Sequence, residues 1–112
     1  GYEYSVDAFT EAQSIVNSMN GELVIVIIPT REEVYSEITA PVMGEESVNR
    51  LQSARDAMLS LCDDLSLTCF DAYDVFVEYA NNGEALYFQD DMHLNPYGNQ
   101  ILAEALAAFL SN

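Results

Sequence analysis

The chain is predicted to be an α/β domain, a partial three-layer α/β/α arrangement with a short parallel sheet flanked by helices. Three observations predict it. Leu23-Val24-Ile25-Val26-Ile27-Ile28 is an unbroken, mostly β-branched aliphatic run, the pattern of a parallel strand covered on both faces. Leu67-Thr68-Cys69-Phe70 is a second short run of strand character that stops at Asp71. Between and around them, apolar residues recur at helical spacing, and strands alternating with helices predict crossovers between parallel strands.

The elements follow in order. Val6 to Met19 carries Ala8, Phe9, Ala12, Ile15 and Val16 at helical spacing, and Asn20-Gly21 reads as its stop. After the first strand Pro29 ends the donor ladder. Thr30 with Glu33 forms a capping box for a short helix through about Ile38. Thr39 to Gly44, which contains Pro41, is expected to be a loop. Glu46 to Leu65 reads as the longest helix, with Val48, Leu51, Ala54, Met58, Leu61 and Leu65 on one stripe.

Past the second strand, Asp74 is expected to cap a helix from Val75 to Asn81, which Gly83 ends. Leu86-Tyr87-Phe88 is a brief extended segment. Asn95 as N-cap and Pro96 at the first helical position open the last helix, whose buried stripe is Ile101, Leu102, Ala105, Leu106 and Phe109. Two strands alone would both be edges, which invites further pairing. This predicts a portion of a larger domain, a homo-oligomer joined through exposed strand edges, or both.

Charge restricts the partners. Nineteen Asp and Glu oppose three Arg (Arg31, Arg50 and Arg55), there is no Lys, and the formal net charge is -16. Such a surface repels phosphate backbones and anionic lipid, so nucleic-acid binding is not expected. No apolar run is long enough for membrane insertion, and no leader pattern is visible. A start at Gly1-Tyr2 without Met reads as a cut boundary. Cys62 and Cys69 are spaced unlike a zinc ribbon or a redox CxxC pair. Two small buried hydrophobes is the preferred reading; a disulfide stapling the helix end to the next strand is the alternative in an oxidising compartment. No cofactor is expected.

The chemistry concentrates in Asp90-Asp91-Met92-His93, which holds the single histidine. An aspartate that accepts from the imidazole Nδ1–H fixes its tautomer, and the other nitrogen can then take a hydroxyl proton. Asp90, three residues ahead, is the expected partner of His93. Asp91 would point the other way in an extended segment. Asp91 joining Asp90 and His93 as a metal site would leave one side of an ion without protein donors, and no metal is expected. Arg31, just past the first strand, is a candidate for binding an anionic substrate group, against the plainer role of pairing with nearby glutamates. Tyr35, Tyr73, Tyr87 and Tyr97 read as packing residues rather than a carbohydrate cleft.

Asp90-x-x-His93 followed by Asn95-Pro96-x-Gly98 resembles the C-terminal signature of the SGNH (GDSL-type) hydrolases. Val26-Ile27-Ile28-Pro29-Thr30-Arg31-Glu32-Glu33-Val34-Tyr35 is similar to the strand and turn of one bacterial, extracytoplasmic branch linked to acetyl or acyl transfer on polysaccharides. The similarity runs from about Leu23 to Leu110. It implies a flavodoxin-like fold, an ester or O-acetyl glycan substrate, and His93 and Asp90 as two members of a Ser-His-Asp triad. It also implies a periplasmic or secreted setting. The family pattern further needs a Gly-Asp-Ser serine and a glycine and asparagine that donate to the oxyanion. No Gly-Asp-Ser occurs, and Ser5, Ser14 and Ser18 lie on a helical stretch. The chain is therefore expected to be the C-terminal part of an SGNH-like esterase or acyltransferase, inactive in isolation. A non-catalytic acidic domain acting by association is the alternative.

Overall fold

A computed structural model describes residues 1–112. Helix α1 spans Tyr2–Ser18, strand β1 Val24–Ile27, α2 Arg31–Val34, α3 Ser36–Met43, α4 Glu45–Asp64, β2 Thr68–Asp71, α5 Tyr73–Asn81 and α6 Pro96–Leu110. The two strands pair in parallel, with Val24 opposite Thr68 and Ile27 opposite Asp71. Three helices, α2 to α4, make the crossover between them. The α/β class and the short parallel sheet with flanking helices are as the residue pattern predicts.

The core sits where the last third of the chain folds back on α2. Val34, Ala72, Phe76, Leu86, Tyr87 and Ile101 form one buried cluster, with Phe76, Ala72 and Leu86 fully enclosed. The Tyr87 ring meets Tyr35 and Phe76 edge-on, at centroid separations of 6.2 and 6.1 Å, the favoured aromatic geometry. Tyr35 accepts from Leu86 N and donates to Glu84 O, Tyr73 lies beneath Arg55, and Tyr97 packs on Tyr79. All four tyrosines are therefore engaged in packing.

Several expectations require correction. The strand Val24–Ile27 is half-buried rather than covered on both faces, and Ile28 is 49 % exposed. With two strands each is an edge, and α1 buries none of its residues. Thr39 to Gly44 is not a loop: α3 continues through Pro41 and stops at Gly44. The hydroxyl of Thr39 donates to Glu32 O at 2.7 Å, tying this turn to α2. The capping box does form, but α2 ends at Val34 because Tyr35 leaves helical geometry. Asp71, not Asp74, serves the start of α5, its Oδ1 accepting from Tyr73 N at 3.0 Å.

Cys62 and Cys69 are joined in a disulfide, Cα to Cα 6.3 Å, and are not the free buried hydrophobes expected. The chain reverses between α4 and β2 through Ser66, which takes a left-handed φ of 52°. This tight return brings the last turn of the helix beside the strand, within reach of a disulfide.

A buried charge network ties the layers together. Glu33 is 2 % exposed. Its Oε2 accepts from Thr30 N and Oγ1, while its Oε1 pairs with Arg55 Nε at 3.1 Å. Arg55 also binds Asp71 at 3.0 Å and lies 3.9 Å over the Tyr73 ring. Burial alone would lower the proton affinity of the Arg55 guanidinium; the bonds and charges of Glu33 and Asp71 outweigh it and raise it.

Candidate active site

The segment that carries His93 is a short hairpin. Tyr87 and Leu94 form an antiparallel bridge, Phe88 N donates to His93 O, and Asn95 N donates to Leu86 O. Asn95 seals its base twice. Its Oδ1 caps α6 by accepting from Gly98 N at 2.7 Å, and its Nδ2 donates to Ala85 O at 2.9 Å. Gly98 then passes so close to Leu86 that no side chain fits. Tyr87 anchors the hairpin to β1: its hydroxyl donates to Pro29 O at 2.6 Å, and burial raises its pKa well above the usual tyrosine range.

His93 therefore stands just past the C-terminal end of β1, the edge where open α/β sheets place their ligands. It borders a cleft of about 670 Å³ lined by Ile28, Pro29, Thr30, Glu32, Met43, Leu51, Tyr87, Met92, Leu94 and Asn99. The cleft wall is mostly apolar and includes no serine. Thr30, its one hydroxyl amino acid besides Tyr87, is engaged in the α2 cap.

The carboxylate beside His93 belongs to Asp91. His93 Nδ1 lies 3.2 Å from Asp91 Oδ1, and the same oxygen accepts from His93 N at 2.7 Å. No hydrogen bond joins His93 to Asp90. Setting Asp91 aside assumes an extended segment in which neighbouring side chains alternate; the tip is instead a series of bends. A turn over Asp91-Met92-His93 folds the nearer carboxylate onto the ring. With Nδ1 facing a carboxylate, Nε2 is the nitrogen left to exchange a proton with substrate. Both side chains face solvent, 80 % exposed for His93 and 54 % for Asp91, so water screens the pair. No three His, Cys, Asp or Glu side chains converge in metal-binding geometry.

Arg31 is in the site region but directed at the hairpin. Its Nη1 donates to Phe88 O, Gln89 O and Asp91 O at 3.3, 3.1 and 3.0 Å, and Nη2 pairs with Glu32 at 3.1 Å. The glutamate pairing was expected. The grip on the loop carbonyls was not, since no local pattern signals a contact across nearly sixty residues. A family model described as an SGNH hydrolase-like domain, acetyltransferase AlgX, matches residues 2–112. The chain belongs to this family. Membership supports an esterase or acyltransferase type of chemistry and accords with the α/β fold, and the SGNH-type resemblance of the chain is thereby shown. Comparison with curated proteins gave no match, and neither did comparison with solved structures.

Proposed function

We propose that this domain supplies the acid–base pair of a serine-dependent acyl-transfer site, with the nucleophile contributed from outside these 112 residues. The observation that carries the reading is the Asp91–His93 contact at the end of β1. His93 Nε2 takes the proton of a serine hydroxyl as its oxygen attacks an ester carbonyl, then returns that proton to the departing alkoxide. Asp91 holds the tautomer and stabilises the transient imidazolium. Asp90, the residue at the family-like spacing, remains the competing carboxylate. The substrate is an ester, with an O-acetyl group on a glycan suggested by the family resemblance. The Cys62–Cys69 disulfide favours an oxidising, extracytoplasmic setting.

The test is ester turnover with p-nitrophenyl acetate. In the protein that includes the serine, His93→Ala is expected to lower turnover by at least about 10²-fold, and the isolated 112-residue chain should not exceed buffer. Unchanged turnover on losing the imidazole would overturn the assignment. A second reading, association without catalysis, is favoured by the unpaired outer edges of β1 and β2. Sedimentation equilibrium decides it: a monomer at micromolar concentration would remove that reading.

A further inference from the structure

We propose that Arg31 is a positioning residue, its guanidinium holding the hairpin tip and so setting where Asp91 and His93 stand. This rests on the reading of those two residues as the acid–base pair. The base of the hairpin is secured by the Tyr87–Leu94 bridge, the Phe88 N–His93 O bond and the Asn95 contacts. The tip, Gln89 to Met92, has no such ladder. What reaches it from the rest of the fold is Arg31 Nη1, within 3.3 Å of two of its carbonyl oxygens, from Gln89 and Asp91, and of Phe88 O at its base. Asp91 is thus held at its backbone by Arg31 while its carboxylate holds His93 at both Nδ1 and the amide. Arg31 is itself fixed by its place at the capped start of α2 and by Glu32. Nη1 carries two N–H bonds, so one is shared among the three oxygens while Nη2 holds Glu32; the guanidinium thus joins loop and glutamate at once, which a single ammonium reproduces only in part.

Because His93 is the single histidine, its imidazole signals report on this site alone. In the 112-residue chain, Arg31→Met is expected to shift those signals and to speed exchange of the His93 amide by roughly tenfold, the effect of losing about one charge-assisted hydrogen bond. The urea midpoint should stay close to that of the parent, since Arg31 is half-exposed and lies outside the buried cluster around Phe76. Arg31→Lys should fall between the two, and it keeps the test open if the methionine variant folds poorly. Arg50→Met, on the exposed face of α4, controls for charge. Parent-like exchange and imidazole signals in Arg31→Met would overturn the proposal, as would an equal response to Arg50→Met. In the serine-containing protein, Arg31→Met should lower kcat with KM nearly unchanged. A raised KM at constant kcat would mean that Arg31 binds substrate instead, overturning the positioning role. If His93→Ala leaves turnover intact, the acid–base reading fails while the amide-exchange result still decides whether Arg31 orders the tip.

Discussion

Gly98, in the first turn of α6, rests directly against the carbonyl of Leu86, and a β-carbon built there would overlap that oxygen. The obstacle is backbone, which cannot swing aside as a side chain can. Gly98→Ala is therefore expected to destabilise the fold by about 1–3 kcal/mol or more, read as a lower urea midpoint. It should also disturb the His93 signals, because Leu86 O is the acceptor for Asn95 N at the hairpin base. Parent-like stability would mean that α6 can move away at little cost.

The Arg55 network gives a second prediction. Arg55→Met removes the guanidinium that neutralises Glu33, leaving a carboxylate that is 2 % exposed without its cation. A loss of about 3 kcal/mol is expected, measurable by urea denaturation. Asp71→Asn should cost less, since Asp71 is nearer solvent and an amide oxygen still accepts from Tyr73 N.

Cys62→Ala with Cys69→Ala should cost roughly 2.5 kcal/mol, the chain-entropy value for so short a loop. Dithiothreitol should lower the parent midpoint by a similar amount and leave the double variant unchanged.

Tyr87 predicts a response to alkali. Its folded pKa is raised by burial, so the native state keeps a proton that the unfolded chain releases near pH 10. Stability from this group is complete below about pH 10 and declines as pH rises further. Tyr87→Phe loses the bond to Pro29 O, lowering stability at neutral pH, but should flatten the alkaline decline. An equally steep decline in the variant would assign it to other groups.

The carboxylate partner of His93 can be settled by comparing two amides. From the 3.2 Å contact, Asp91→Asn should shift the His93 imidazole signals and Asp90→Asn should leave them near the parent. The reverse result would restore the spacing-based assignment.

Much of this architecture was legible because it is written locally. The aliphatic run found β1, Thr30 and Glu33 found the α2 cap, and Asn95-Pro96 found the start of α6. Failures came where distant contacts decide. Pro41 reads as a breaker, yet packing of α3 on α4 and the Thr39 bond keep the helix intact around it. Glu33 was recognised as a cap, but nothing near it in sequence announces Arg55. His93 was found by its motif, whereas its neighbour depended on whether the tip was extended or bent.

Helix α1 buries none of its side chains, and its one long-range side-chain hydrogen bond is Tyr2 Oη to Asp64, on the surface. Phe9 nevertheless lies along a shallow groove with Ile25, Ile27 and Met58. Detaching α1 would uncover the aliphatic flank of β1 while the Phe76 cluster, which does not involve α1, stays intact. Clumping of this protein should thus begin from a partly open form, at temperatures below the main melting transition, with one loosened helix setting its shelf life.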